Sequence, residues 1–439
     1  MSKDQFSSFL EEMQKYFTSE FIGYAPQGYP NAGMRYKLKP KVVYHSCPIC
    51  DCPHTHAHER KPRTIHAGSY LGVPVSYVTE CIRYQCDICG ATFFDEYDFL
   101  PWRHNITSEA ENYIIWSLGT VPMSVIAGEI GVSVQTIANR ATEFGRDEQT
   151  EAMKRHYKYL SMDEVFIGHN KDGSNIIYWV LNDISVPWKS NNVLLNIGRT
   201  KDEIMKQLKR LEHPQSVTAV SMDMWEAYKD AVEAILPQAV VVIDKFHVIE
   251  VAEECIKKVR LAVQCSKKEK DAMKKDATLF STSMYKLSAD ELVRLDGYLQ
   301  IDSRLETVYF LVQELIDFYH CHDYETALDY LCNWETEVNQ TGLDLPLYTT
   351  VCNWLPYIMN YFKFRITNGK MEGRNDLIRE IDRMGFHYGL PCLQGCLYAH
   401  DRRQEYIKWQ NHLRDLEIAA DEKKLGDSIQ IQINQSIAA

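Results

Sequence analysis

The sequence predicts a multidomain α+β protein, and three patterns carry that expectation. Two CxxC pairs, Cys47-Pro-Ile-Cys50 and Cys86-Asp-Ile-Cys89, stand about 35 residues apart with strand-like runs between them. Three apolar β-type runs each hold or stop on an acid: Leu160–Gly168 contains Asp163 and Glu164, Val217–Met222 stops on Asp223, and Ala239–Ile243 stops on Asp244. From Ile249 to about residue 350 the chain then reads as almost wholly helical, with no Gly or Pro between Ile249 and Asp296. The expected plan is an N-terminal zinc ribbon and a helix-turn-helix, then an RNase H-like α/β core interrupted by an all-helical insertion.

With 439 residues, of which 45% are hydrophobic and 25% charged, the chain has the make-up of a globular protein with room for several cores. No apolar run reaches the roughly 18 residues of a membrane span, and Met1-Ser-Lys-Asp-Gln-Phe6 does not open a secretory signal. The expected location is therefore the cytoplasm. In that reducing compartment the spacing of the 13 cysteines matters more than their number. A formal net charge of -12 argues against indiscriminate coating of nucleic acid, but phosphates respond to local basic surfaces.

Residues 1–40 read as a helix from Phe6 to Phe17 and a Gly/Pro/Tyr-rich loop from Gly23 to Gly33. In residues 41–104 each CxxC offers two sulfurs from one tight turn, so Cys47, Cys50, Cys86 and Cys89 suit one tetrahedral zinc. Val73–Val78 and Ile82–Tyr84 are the strands expected between them, and Cys52, His54, His56, His58 and Cys81 are possible substitute ligands. In residues 105–150 a helix over Glu111–Leu118 is followed by Ser124–Ile130, a turn at Gly131, and a second helix capped by Ser133. Ile130, Val132, Val134 and Ile137 form the expected buried side of this helix-turn-helix. Its second helix would offer Gln135, Thr136, Asn139 and Arg140 to a major groove, where Gln, Asn and Arg can make bidentate contacts with base edges.

Residues 157–248 alternate as strands Leu160–Gly168, Ile176–Asp183 and Val193–Gly198, helix Lys201–Leu211, the strand ending at Asp223, a helix around Glu226–Leu236, and the strand ending at Asp244. One Asp at a strand end is a turn residue or a helix cap. Three in one domain suggest carboxylates delivered to one sheet edge for a hard divalent cation. In an RNase H-like order the first and fourth strands are neighbours, which brings Asp163 beside Asp223 and leaves Asp244 one strand further out. The helical insertion, 249–350, opens with a basic run from Lys257 to Lys275 that could hold a nucleic-acid backbone. Residues 351–408 complete the core, with the turn Asn368-Gly369 leading into a helix whose first turn holds Glu372. The tail, 409–439, is expected to continue a charged helix and then, from about Gly426, to fray or form an edge strand.

This order of motifs resembles the bacterial insertion-sequence transposases of the ISL-three family. The resemblance rests on CPIC…CDIC, Met162-Asp163-Glu164, Asp223-Met-Trp-Glu-Ala-Tyr228, Asp244-Lys-Phe-His247-Val and Thr367-Asn-Gly-Lys-Met-Glu372-Gly-Arg-Asn375. It implies a DDE transposase with Asp163, Asp223 and Glu372 as catalytic triad, and Asp244 and His247 as a supporting D-x-x-H element. It also implies two Mg²⁺ or Mn²⁺ ions in the active site, one structural zinc on the four cysteines, and binding to terminal inverted repeats and target DNA. A homodimer or higher oligomer on DNA is expected. The alternatives are an RNase H-like nuclease that cuts without joining, and a domesticated DNA-binding protein.

Overall fold

The structure is a computed structural model that describes residues 13–24, 33–41, 46–70, 72–94, 100, 105–170, 172–186, 191–369, 371–385 and 387–438, with side chains up to 415. It is a mixed α/β chain with two five-stranded mixed sheets, and it divides into two compact units, Met1–Glu148 with Glu380–Ala439, and Gln149–Arg379. No helix among the described residues is long and apolar enough to cross a membrane.

In the first unit the strands are β1 (Phe17–Tyr24), β2 (Met34–Pro40), β3 (Thr55–Tyr70), β4 (Val73–Cys86) and β5 (Thr92–Phe94). The order is β1-β2-β4-β3, with β5 on β4. The two strands expected between the cysteine pairs are one long β4, and the His-rich stretch before them is its antiparallel partner β3, pairing Thr55 with Cys86. Both cysteine pairs therefore lie at the same end of one hairpin. The expected N-terminal helix is confined to Met13–Tyr16 among the described residues, and Phe6–Glu12 lie outside them. Phe17–Tyr24 and Met34–Pro40, expected as helix end and loop, are strands, and residues 25–32 of that loop also lie outside. Their aromatic and β-branched side chains favour a pleated surface, and β2 pairs parallel with β4 through Met34↔Val75, a partner about 40 residues away in sequence. Phe17, Leu38, Ile65, Tyr77 and Leu100 form the small core this pairing creates.

Three helices follow: α1 (Ser108–Ser117), capped by the Thr107 hydroxyl, α2 (Met123–Ile130) and α3 (Val134–Met153). Gly131 closes α2 at φ 77°, a left-handed conformation that a Cβ would disfavour. The Ser133 hydroxyl accepts the Thr136 N–H at 3.1 Å to start α3. Ile130 and Ile137 are buried as expected, but Val132 is half-buried and Val134 is 48% exposed. Val134 is the first residue of α3 and shares a face with Ile137, three positions on, but at the helix end that face is left uncovered.

The second unit is organised by β6 (Tyr159–His169), β7 (Asn175–Asp183), β8 (Asn191–Ile197), β9 (Ala219–Met222) and β10 (Val240–Ile243), in the order β10-β9-β6-β7-β8. β6, β7 and β8 form an antiparallel meander, whereas β9 runs parallel to both β6 and β10. Helices α4 (Lys201–Leu208) and α5 (Glu226–Ile235) connect the later strands. From α6 (Lys245–Ala262) the described chain is helical: α7 (Lys267–Lys275), α8 (Ala289–Leu299), α9 (Ser303–Phe318), α10 (Tyr324–Thr341), α11 (Pro346–Met359), α12 (Tyr361–Phe364) and α13 (Met371–Met384). The sheet and these helices share one core, from Leu160 and Trp179 through Phe280 and Phe318 to Ile358.

The last helix, α14 (Leu390–Ala438), belongs to the first unit and corrects the expectation of a frayed or β-type tail. No proline follows Pro391, and the one glycine after Gly395, Gly426, costs only about 1 kcal/mol within a run of helix formers. Gly395 of α14 faces the backbone of Ala141 and Gly145 on α3, and any Cβ there would overlap the Ala141 carbonyl. Gly395→Ala should therefore destabilise the protein by about 1–3 kcal/mol through overpacking. Gly128→Ala, inside α2 with nothing near the added methyl, should stabilise it by about 0.5–1 kcal/mol. Denaturant titrations of both variants check the opposite signs.

Candidate active site and metal centres

Asp163 lies on β6, and successive residues of a strand face opposite ways. Leu160 and Met162 enter the core beneath α4 and α5, while Ser161 and Asp163 face α13. Glu164 is turned away from Asp163: its carboxylate pairs with Arg199 at 2.7 Å and accepts the Tyr228 hydroxyl at 3.4 Å. Parallel pairing of β6 with β9, Ser161↔Ser221, brings Asp223 alongside, just past the end of β9. Asp244 follows β10, one strand further out, and opens α6. One helical turn later His247 reaches back, its Nε2 at 2.5 Å from Asp223 Oδ1. Asp163, Asp223 and His247 can each present a ligand atom within 4.8 Å of the others.

The loop before α13 is tied into this cluster by Asn368. Its backbone N–H donates to Asp244 Oδ1 at 3.0 Å and its side-chain amide to the Met162 carbonyl at 3.2 Å. The Met371 sulfur accepts from Asn182 at 2.9 Å and Ser161 at 3.4 Å, fixing the start of α13 over the centre of the sheet. Asn375, one turn further, donates to Asp163 Oδ2 at 2.9 Å, and the Glu164 N–H donates to Oδ1 at 2.7 Å. Neither asparagine had an assigned role in the sequence reading. The available signal was spacing, because Asn375 stands three residues after Glu372 on one helix and so on the same face.

Burial, and then the charge of Asp223, push the Asp163 carboxyl up to about 6, despite the donors from Glu164 and Asn375. Burial likewise raises Asp244 to about 6 against the pull of the Asn368 N–H. Burial would lower His247, but its hydrogen bond to Asp223 and the surrounding acids raise it to about 9. An imidazolium thus balances acids that would otherwise repel one another. The donor set is oxygen-rich and anionic, and the buried Asn375 Oδ1 has no partner, so the residues fit a hard divalent cation. Glu372 occupies the first turn of α13, exposed, and is not among the side chains whose ligand atoms converge.

The four cysteines do converge. Cys47 Sγ lies 3.5 Å from Cys89 Sγ and Cys50 Sγ lies 3.6 Å from Cys86 Sγ, close to the ~3.8 Å edge of a tetrahedron with 2.3 Å zinc–sulfur bonds. The Ile49 and Ile88 N–H groups donate to the first sulfur of each pair, a matching of the two turns that suits thiolates. None of Cys52, His54, His56, His58 and Cys81 joins this group, and His56 is held by Asp87 at 2.6 Å.

On α3, Gln135 and Asn139 are exposed and bonded to each other at 2.9 Å, and Thr136 is half-buried. Arg140 is only 16% exposed and pairs with Glu143 at 2.8 Å. In the basic run the lysines from Lys257 to Lys275 are exposed, but Arg260 is structural, donating to the Met273 carbonyl and lying over the Phe280 ring.

The raised Asp163 value carries a pH dependence. A carboxyl that ionises at about 6 when folded but at about 3.9 when unfolded favours folding while protonated, and the advantage is lost as pH rises through about 4 to 6. Asp163→Asn should therefore raise the melting temperature at about pH 7.5 and leave it unchanged near pH 4. The Asn375 amide can turn to present its oxygen to the new NH₂. Thermal melts at both values, without added Mg²⁺ or Mn²⁺, check this.

A transposase family model of the DDE type, ISL3, matches residues 160–390, more than half of the chain. The transposase for insertion sequence element IS1001 of Bordetella parapertussis is 23% identical over 370 residues, 82% of this chain and 89% of that protein. Among solved structures, the Drosophila P element transposase strand transfer complex aligns with 70% of this chain and 80% of its own at 11% identity. The TM-score is 0.26, too loose a superposition to bear on the fold. The family match runs from the strand that bears Asp163, through helices α6 to α12, past the helix that bears Glu372, and the chain belongs to the ISL3 family of transposases.

Proposed function

We propose that this transposase cuts and joins DNA at the Asp163–Asp223 site by a DDE mechanism, binding the terminal inverted repeats of an insertion sequence. The observation that carries the reading is the convergence of Asp163 within β6, Asp223 just past β9 and His247 on α6. A pair of Mg²⁺ or Mn²⁺ ions held there would activate a water or 3′-hydroxyl and stabilise the departing oxygen. Asp163 and Asp223 supply the converging oxygens, and Asn375 and the Glu164 N–H aim the Asp163 carboxylate. Glu372, one turn ahead of Asn375 on α13, completes the triad from the exposed side as substrate enters. Asp244 acts through the loop, holding Asn368 and hence the start of the Glu372 helix. The sheet order supports an RNase H-like core, with α6 to α11 as its helical insertion.

Asp223→Ala should abolish metal-dependent strand cleavage, whereas Asp244→Ala should lose about 10–100-fold and retain a measurable rate. Gel assays with Mg²⁺ and Mn²⁺ on DNA carrying the ends of the element test this. A dead Asp244 variant beside an active Asp223 variant overturns the triad, and cleavage without joining favours the nuclease alternative.

The hairpin end with Cys47, Cys50, Cys86 and Cys89 is read as a zinc ribbon, and α2 and α3 as a helix-turn-helix that reads the repeat through Gln135, Thr136 and Asn139. Arg140 contributes to a base contact only by releasing Glu143. Metal analysis should find about one zinc per chain. A Cys47→Ser, Cys86→Ser protein should lose the zinc and its preference for the element's ends, and retention of both refutes the four-cysteine site.

A further inference from the structure

Two aromatic side chains at the rim of the acid cluster have no role in the chemistry above. Trp225 stands two residues after Asp223 and is 41% exposed, and Phe246 stands two residues after Asp244 and is 50% exposed. The unit can bury such groups, since Trp179, Tyr228, Phe280 and Phe318 are all inside. Because β9 and β10 are adjacent and parallel, both rings lie at the same edge of the sheet, next to the carboxylates. Each ring is held in place and accompanied by a cation. The Arg199 guanidinium lies 4.9 Å from the Trp225 ring centre and is itself anchored by Glu164. Lys245 lies 5.3 Å from the Phe246 ring, which rests against Gly369 so closely that a Cβ there would stand 2.8 Å from it.

We propose that the site receives DNA whose end nucleotides are unpaired, with Trp225 and Phe246 as stacking platforms for the splayed bases. A fixed ring beside a cation offers a nucleotide both a π surface for the base and a charge for its phosphate. In a duplex each base is already stacked on its neighbours, so such a ring gains contact only with a base that has left the stack. The platforms sit one or two residues from Asp223 and His247, so a base stacked there places its own backbone phosphate at the acids. The absence of a hydrogen-bonding pocket around either ring among the described contacts fits a sequence-tolerant grip. The proposal rests on the strand-cleavage reading and adds the state of the substrate at the moment of cutting.

The test uses the full-length, zinc-loaded protein with Ca²⁺ in place of Mg²⁺ and three probes of one sequence: a blunt duplex, a duplex with a few unpaired nucleotides at one end, and a single strand. An unpaired 2-aminopurine reports stacking. The wild-type protein should bind the frayed duplex about tenfold more tightly than the blunt one and quench the 2-aminopurine. Trp225→Ala and Phe246→Ala should each reduce that preference and the quenching while leaving blunt-duplex affinity unchanged, and Trp225→Phe should retain both. Equal affinity of the wild type for frayed and blunt DNA, or variants that keep the full preference, overturns the proposal. If DNA is bound and cut in Mg²⁺ without that preference, only the platforms fail. A protein that neither binds nor cuts any probe takes the strand-cleavage reading down with them.

Discussion

Carboxylates gathered from neighbouring strands repel, and the second unit is arranged to hold them together in spite of that. Asp163 and Asp244 are both buried, and burial raises both. The compensation comes from fixed donors: the Glu164 N–H and the Asn375 amide on Asp163, the Asn368 N–H on Asp244, and the His247 ring on Asp223. Each donor comes from a different part of the chain, so the cluster exists only when strand, loop and helix are all in place. The cost of gathering the Asp163 and Asp223 charges is thus met by folding.

The long run of helices after β10 acquires a mechanical meaning from the same constraint. The residues after β10 travel through α6 to α12 before the chain returns with Asn368 and Glu372. The return is secured at both levels of the sheet. Asn360 donates to the Val241 carbonyl on β10 at 2.9 Å, and Asn368 bridges Asp244 and Met162. The long excursion is therefore pinned at its exit to the two strands that flank β9, and the first turn of α13 inherits its position from those bonds. A loop closed over more than 100 residues costs little more entropy than a short one, because the cost grows only logarithmically with length. What it requires is a strong closure, and the buried bond from the Asn368 N–H to the Asp244 carboxylate supplies one.

The sequence made the acid-bearing strands legible because each is a short apolar run that stops or is interrupted at a carboxylate, and the strand order followed from where helices intervene. The cysteine pairs and the Gly131–Ser133 turn were legible for a similar reason: their chemistry is local. What was not legible depends on distant partners. Phe17–Tyr24 and Met34–Pro40 become strands because β2 finds an edge on β4, a distant partner that their own aromatic and β-branched side chains do not identify. The engagement of Arg140 by Glu143 could have been read from their i,i+3 spacing, which turns a residue able to contact a base into one already occupied. Whether Glu372 stands among the acids or outside them depends on the tilt of α13, set by Met371 against Asn182 and Ser161, contacts that span about 190 to 210 residues of sequence.

The acidic balance of the chain, a difficulty for a DNA enzyme if net charge were the measure, looks different once the acids are placed. Many are used at helix starts. Glu203, Glu269 and Glu291 accept the N–H and hydroxyl of Thr200, Ser266 and Ser288, and Asp302 and Asp323 cap α9 and α10. A carboxylate there is offset by the positive end of a helix and by donors within about one turn, so its field falls off quickly. Lys267, Lys268, Lys270, Lys274 and Lys275 on α7 are by contrast exposed. Exposed lysines keep counterions that a phosphate can release, whereas capped acids do not project comparable repulsion beyond a Debye length of about 8 Å. Some of the acids behind the net charge of -12 are thus spent at helix starts, so net charge alone is a poor measure of how the chain meets DNA.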